Sequence, residues 1–267
     1  MKHLNFKWIL GMLYAGVSAL FLIYNGVENV VSNDVYYLIA PFTAVTAGFI
    51  ALFHIGWVGK RAMVIRDVLT GSMLWFIAEV ILLVLAWKDL ESYPSSADAF
   101  FLVGYFFFAR AIIRESKLFE VQWKKLHFQL VAVLMVLFAG ITGLVTYVGA
   151  RGYDSEEGML VNFTTISWSL GDLIVGGLAL VLLAMAWEYR NGTVRREWLW
   201  FIGAIFAHLI ADTAYSFNPE VIVDGSWLNT FLNILWMGGY FLFAGYFLEI
   251  DKEMRRIRTT LLPRKEQ

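Results

Sequence analysis

Eight apolar segments, separated by short connections that alternate in charge, dominate this chain of 267 residues. A helix needs about 20 apolar residues to cross the hydrocarbon core of a bilayer. The segments cover about 7–24, 35–58, 67–87, 98–113, 127–149, 161–189, 198–217 and 227–248. A content of 59% hydrophobic residues and a mean hydropathy of +0.64 lie well above the range of soluble domains. The sequence therefore predicts an all-α fold, a polytopic transmembrane helix bundle of about eight spans.

The charges of the connections predict the orientation of this bundle. If the N-terminus is cytoplasmic, the cytoplasmic segments hold all of the 21 lysines and arginines except Lys88 and Arg151, while the opposite connections carry ten acidic residues. Lys and Arg accumulate on the cytoplasmic side of membrane proteins. We therefore predict a multi-pass protein of the plasma membrane with both termini in the cytoplasm. Residues 1–248 would form one bundle and residues 249–267 a short basic tail.

The basic side of the bundle predicts its surroundings. Lysines and arginines at the ends of membrane spans commonly face anionic lipid headgroups, so we expect the basic rim to contact the lipid bilayer. The net charge of −1 gives no indication of nucleic acid as a partner. A cytoplasmic signalling partner would have to bind the inner loops or the tail.

Several kinds of chemistry are excluded or disfavoured by residue types. The chain has no cysteine, which removes disulfides, thiolate ligands and thiol nucleophiles. All lysines fall at helix ends or in loops, which argues against a retinal Schiff base. Only His208 among the four histidines is well placed inside a span, whereas zinc hydrolases typically use two or three, and no nucleophile elbow is present. We predict no cofactor and no metal site, and a non-enzymatic role is favoured without being settled.

Two parts of the chain share a sequence pattern. Residues 101–109 align without a gap with residues 236–244, and the helix before each carries a small residue followed by an acid. The aligned residues are Gly104-Tyr105 with Gly239-Tyr240, Ala78-Glu79 with Ala211-Asp212, and Asp98 with Asn233. Both copies run in the same direction across the membrane, so the repeat is parallel, unlike the inverted repeats of many transporters. We predict four helical hairpins, the first most divergent, although Gly-Tyr pairs also serve simple helix packing.

Three carboxylates, Glu79, Asp172 and Asp212, lie inside predicted spans and in the same half of the membrane. An unpaired charge there costs about 2.5–3.5 kcal/mol on insertion scales, so an intramembrane acid is a functional hypothesis by default. His208 lies one helical turn before Asp212, on the same face. We predict a ligand-binding pocket lined by Glu79, Asp98, Asp172, His208, Asp212 and Asn233, with Tyr105 and Tyr240 as walls. The alternative is that the acids are neutral and only link helices by hydrogen bonds.

Short motifs between residues 75 and 240 resemble a known family. Five segments carry the resemblance: the run from Trp75 to Glu79, the loop and helix of residues 93–105, and residues 170–173, 210–215 and 235–240. They are similar to the multi-helix membrane domains at the N-terminus of many bacterial GGDEF/EAL signalling proteins. The resemblance covers roughly residues 70–250 and implies a membrane sensory bundle. The 19 residues after position 248 are too few for a cyclase or phosphodiesterase domain. We therefore expect the effector domain to be absent.

These observations favour a stand-alone sensory-type or ligand-binding membrane protein with an outward-facing polar pocket within the membrane. Its ligand would be a small molecule, a lipid or a cation. A cation- or proton-coupled transporter or channel would use the same carboxylates, but residues 173–186 are almost wholly apolar and offer no path to the inner side. An intramembrane lipid hydrolase and a structural subunit of a membrane assembly are the remaining alternatives.

Overall fold

The computed structural model describes residues 6–24, 30–90, 92–119, 158–189, 194–217 and 226–261, with scattered positions between 129 and 147. This part of the chain contains helices and no strand. The helices are α1 (Phe6–Tyr24), α2 (Val30–Ile55), α3 (Lys60–Trp87), α4 (Ser96–Leu118), α5 (Met159–Glu188), α6 (Val194–Phe217) and α7 (Trp227–Leu261). All seven contain a stretch long and apolar enough to cross a membrane. The all-α class and the multi-pass membrane character thus agree with the prediction.

Six of these helices form a closed ring in chain order. Each helix from α2 to α6 packs against the next, α7 packs against α2, and α1 lies outside against α2 and α7. One face of α2 shows why such close packing is possible, since it carries Ala40, Ala44, Ala47 and Ala51, all at most 4% exposed. Small residues let membrane helices approach each other closely. The ring therefore encloses a core that all six helices share.

Ion pairs and hydrogen bonds between helices define the two ends of the bundle. Arg61, at the start of α3, contacts Glu115 near the end of α4 and Glu197 in the first turn of α6. At the opposite end Tyr93, before α4, contacts Thr165 near the start of α5. We call the end with Arg61 the basic end and the opposite end the acidic end.

The segment between α4 and α5 contains the span predicted at 127–149. It falls largely outside the described residues, although the Phe138 ring lies against Gly177 of α5. Because α4 ends at the basic end and α5 starts at the acidic end, a span here would join them. The count of about eight spans stays a prediction.

Among the helix boundaries that differ from the predicted ones, two include charged residues inside helices. The α3 helix begins at Lys60 rather than about 67, since Gly56 and Gly59 adopt positive φ angles of 92° and 115° and make the turn after α2, a conformation that favours glycine. The α7 helix continues past the boundary predicted at 248, through Glu249 and Asp251. Those two acids are buried and pair with side chains of α1 and α2.

Candidate functional site

Aromatic side chains fill the centre of the ring, and Trp75 of α3 is the residue they share. Trp75 is 2% exposed, and two glycines make room for the central rings. A Cβ atom at Gly104 would lie less than 3.0 Å from the Trp75 ring, and one at Gly239 would lie equally close to the His208 ring. The rings around Trp75 have centroids at 4.7 Å for His208, 4.9 Å for Phe108, 5.3 Å for Tyr105, 6.2 Å for Tyr240 and 6.3 Å for Phe243.

His208 carries an unsatisfied acceptor in this centre. Its Nδ1 lies 2.9 Å from the carbonyl oxygen of Ala204, and because a carbonyl can only accept, Nδ1 must donate the proton. In the neutral ring, Nε2 is then an acceptor. It is buried and has no hydrogen-bond partner among the described residues. Such an atom usually has a partner, so an ordered water or a ligand is the expected complement.

Glu79 accepts hydrogen bonds from two tyrosines on other helices. The Tyr240 hydroxyl of α7 lies 2.8 Å from Glu79 Oε1, and the Tyr37 hydroxyl of α2 lies 3.2 Å from the same oxygen. The two phenol rings meet edge to face, with centroids 6.3 Å apart. Glu79 thereby ties together α2, α3 and α7.

Asp172 of α5 and Asp212 of α6 share one tyrosine of α4. The Tyr105 hydroxyl donates to Asp172 Oδ1 and lies 3.5 Å from Asp212 Oδ2. Asp212 also accepts a hydrogen bond from Trp236 Nε1 of α7, at 2.7 Å. A phenol has a single proton to donate, so the two carboxylates compete for it. Neither acid forms an ion pair with a Lys or Arg side chain in the described ranges.

Two of the predicted site residues have other partners. Asp98 belongs to the capping box of α4, where its Oδ2 accepts from the Ser95 backbone N–H at 2.7 Å, and its Oδ1 accepts from Trp168 at 2.9 Å. Asn233 donates to Asn229 one turn earlier in α7, at 2.9 Å to the backbone carbonyl. The structure thus brings six of the eight predicted residues into one layer: Glu79, Tyr105, Asp172, His208, Asp212 and Tyr240.

Tyr37 is a member of this layer that the prediction did not include in the pocket. Buried acids were the signal for the pocket, and α2 has none in the equivalent place. A usable signal existed, because Tyr37-Leu38-Ile39 lines up with Asp172-Leu173-Ile174, at the same separation of 135 residues that relates Tyr105 to Tyr240.

The basic end shows the contrasting arrangement, in which buried acids have cationic partners. Glu115 is 3% exposed and Glu197 5% exposed, and both pair with Arg61. Asp67 is 2% exposed and pairs with Arg110 at 2.5 Å and Arg114 at 2.7 Å. Three arginines of the predicted basic rim thus pair with buried acids of the protein, and contact of the rim with lipid headgroups stays a prediction. The sequence prediction overlooked the acids because it counted charges by loop.

The acid layer is closely packed. A gap beside Asp172, lined by Phe138, Gly176, Phe206 and Leu209 among others, is too narrow to admit a water molecule. Within the described ranges, no three His, Asp or Glu side chains are arranged to hold a metal ion. The arrangement is suited to holding a single small positive charge between Asp172 and Asp212, and a larger occupant would have to move the helices apart.

Comparisons with protein-family models, with curated proteins and with solved structures found no match to this chain. The resemblance to the membrane domains of GGDEF/EAL proteins therefore stays a prediction that rests on short motifs.

Proposed function

We propose that this chain is a sensory-type integral membrane protein that binds one small cation between Asp172 and Asp212. The observation that carries the proposal is that these two carboxylates face the single hydroxyl of Tyr105. A buried charge without compensation costs several kcal/mol, so a positive charge at this point would stabilise the bundle. A proton or a small monovalent cation would supply it.

We further propose that the ring consists of two three-helix units, α2–α4 and α5–α7, related by a pseudo-two-fold axis along the membrane normal. This replaces the four hairpins expected from the sequence and keeps the parallel direction of the repeat. Support comes from contacts between aligned positions: Tyr240 of the second unit bonds Glu79 of the first, while Tyr105 of the first lies against Asp212 of the second. The cation site would then lie where the two units meet.

A site between two units offers a direct route from binding to signalling. A cation attracted by Asp172 of α5 and Asp212 of α6 would change how those helices pack against Tyr105 of α4, which belongs to the other unit. At the basic end, Arg61 of the first unit also pairs with Glu197 of the second. A ligand shifts a conformational equilibrium by its different affinity for the two states. A cytoplasmic partner bound at the basic end would respond to that shift. Both termini of the chain would lie on the same, cytoplasmic side.

The experiment that tests this function measures thermal unfolding of the purified protein in lipid nanodiscs. Chlorides of Na⁺, K⁺ and ammonium are titrated at fixed pH and ionic strength, and pH is varied separately. Binding to the folded state at 100 times the dissociation constant stabilises it by about 2.7 kcal/mol. We expect wild type to respond to at least one of these conditions and Asp172→Asn and Asp212→Asn to lose the response.

The matched control is Asp98→Asn, because Asp98 is an acid at the same end of the bundle that lies in a helix cap. It should keep the wild-type response. If wild type responds to no condition, or if the two variants respond as wild type does, the function is wrong and the acids serve only as links between helices.

Cation- or proton-coupled transport would use the same acids. Against it, stacked Phe108 and Phe243 occupy the centre of the ring together with Trp75. Reconstituted liposomes would distinguish the two functions. Specific, saturable cation flux that Asp212→Asn abolishes would favour transport over sensing.

A further inference from the structure

We propose that protonation of His54 fastens the α7 extension, residues 249–261, to the end of α2, so that the basic end of the bundle responds to pH. The α7 extension is the part of this helix that lies beyond the boundary predicted at residue 248. The inference goes beyond the proposed function, because it concerns contacts at the basic end, away from Asp172 and Asp212. It does not depend on a cation being bound there.

The contact between α2 and the α7 extension is an ion pair. His54 lies in the last turn of α2, and its Nδ1 is 2.6 Å from Oδ1 of Asp251. Asp251 is 7% exposed, and its Oδ1 has no hydrogen-bond partner among the described residues. The contact therefore depends on charge rather than on an aligned N–H donor. Its attraction requires a protonated imidazole, because the neutral ring carries no charge.

Arg255 gives the same carboxylate a second partner on α7 itself. Its Nε lies 2.9 Å from Asp251 Oδ2, and its Nη2 lies 3.5 Å from His54 Nδ1. A guanidinium can only donate, so a bond from Arg255 to Nδ1 needs the neutral ring with its lone pair on that atom. Nδ1 thus suits Asp251 in one protonation state and Arg255 in the other. Because Nδ1 lies closer to Asp251, the described arrangement corresponds to the protonated ring.

Other charged groups lie near this contact on the helices that pack against α2, which are α1, α3 and α7. They are Lys7 of α1, Lys60 and Arg61 of α3, and Glu249, Lys252, Glu253 and Arg256 of α7. Glu249 pairs with Lys7 and Lys252. Glu253 pairs with Arg256. Asp251 is therefore the acid of the α7 extension that is placed to pair with protonated His54.

The ion pair links the position of the α7 extension to pH. Histidine is the side chain whose charge ordinarily changes between about pH 5 and 8. Below that range the pair holds the extension against α2. Above it Asp251 keeps Arg255, and the extension loses its tie to α2 while Glu249 still joins it to Lys7 of α1. A cytoplasmic partner bound at the basic end would then meet a different surface.

Double electron–electron resonance on the nanodisc-embedded protein tests this inference. The chain has no cysteine, so Val58→Cys and Ile257→Cys introduce spin labels at two exposed positions, one just after α2 and one in the α7 extension. We expect one short distance, the docked state, at about pH 5.5 and a longer or broader distribution, the released state, at about pH 8.5. The ratio of docked to released protein should change at least about tenfold, since bonds to charged groups contribute that much to an equilibrium.

Variants of the two partners sharpen the test. His54→Gln removes the charge and should leave the α7 extension released at both pH values, as should Asp251→Asn. His54→Lys keeps a cation at the same position and should hold the extension docked at both. His3→Gln, which removes a histidine elsewhere in the sequence, is the matched control and should respond as wild type does. Gel filtration and thermal unfolding report whether each variant is folded.

The outcomes separate this inference from the proposed function. A wild-type distance that is the same at both pH values would overturn it, and so would a pH response that survives in folded His54→Gln. The distance response should persist in Asp212→Asn, and its loss there would assign the response to the acid layer instead of His54. If the response persists in Asp212→Asn while wild type binds no cation, this inference stands and the proposed function fails.

Discussion

The rings of Phe108 and Phe243 stack face to face at the centre of the bundle, with centroids 5.0 Å apart and an interplanar angle of 9°. Phe108 lies three residues after Tyr105, and Phe243 three residues after Tyr240. Both side chains are fully buried. Two residues at equivalent places of an aligned pattern thus contact each other, which supports the proposed pseudo-two-fold axis.

Truncation of this stack should destabilise the fold. Replacing a buried Phe by Ala costs about 3–5 kcal/mol, and we expect Phe108→Ala to lie in that range when reversible unfolding is followed in mixed micelles. Phe106, on the same helix and 59% exposed, provides the control. Phe106→Ala should change the free energy of unfolding by less than about 0.5 kcal/mol. Similar losses in both variants would contradict the packing.

Two glycines should tolerate no side chain. A Cβ at Gly104 would overlap the Trp75 ring, and one at Gly239 would overlap the His208 ring. We expect Gly104→Ala and Gly239→Ala each to lower the free energy of unfolding by about 1–3 kcal/mol through overpacking. Gly11, whose Cβ would meet nothing within 4 Å, is the control, and Gly11→Ala should be neutral or stabilising. Stable Gly104→Ala and Gly239→Ala proteins would disprove the close approach.

Removal of Arg61 should leave two buried acids without their shared cation. Breaking a buried ion pair by removing one partner costs about 3–5 kcal/mol, so Arg61→Met should be strongly destabilised in the same unfolding experiment. Adding Glu115→Gln and Glu197→Gln to that variant should restore much of the stability, because no uncompensated charge remains. Lys60→Met, at the exposed neighbouring position, serves as the control. A triple variant no more stable than Arg61→Met would count against the ion-pair account.

Tyr240 should matter through its hydroxyl as well as its ring. Tyr240→Phe keeps the ring but removes the 2.8 Å hydrogen bond to Glu79, and hydrogen bonds to charged groups contribute about 1.5–3 kcal/mol. We expect a loss of that size in unfolding measurements. Tyr215, which is 47% exposed and packs its ring against Trp236, is the control. An equal effect of Tyr215→Phe would show that the bond to Glu79 carries no special weight.

The helices could be predicted well from the sequence because a bilayer imposes one rule on every span, namely length and apolarity. The positions of Glu79, Asp172 and Asp212 within their predicted spans also indicated that these acids lie at a similar depth. The partners of Asp98 and Asn233 could not be predicted in this way. Residues near the start of a helix can serve either a cap or a pocket, and only the path of the neighbouring helices decides between them.

The buried acids of the basic end escaped prediction for a different reason. Glu115 and Glu197 follow basic residues directly in the sequence, so the sequence pattern assigns them to charged loops. Their burial depends on Arg61, which lies 54 and 136 residues away along the chain. Hydropathy averages and loop charges contain no information about such long-range pairs. Tyr37 was overlooked because acids were the signal for the pocket.

The orientation can be tested directly because the chain has no cysteine. Lys252→Cys introduces a thiol at the basic end and Gly158→Cys one at the acidic end, and both positions are exposed. In intact cells a membrane-impermeant maleimide should label the Gly158→Cys variant rapidly. It should label the Lys252→Cys variant only after permeabilisation, since the basic end is predicted to be cytoplasmic. The reverse pattern would invert the predicted topology.

The most direct measurement is a pair of experimental structures of the nanodisc-embedded protein at a resolution that shows bound ions, one with and one without a saturating concentration of the monovalent cation that raises its unfolding temperature. The account predicts difference density between the carboxylates of Asp172 and Asp212. A map without such density, with Asp172 and Asp212 bonded only to Tyr105 and Trp236 in both samples, would contradict it.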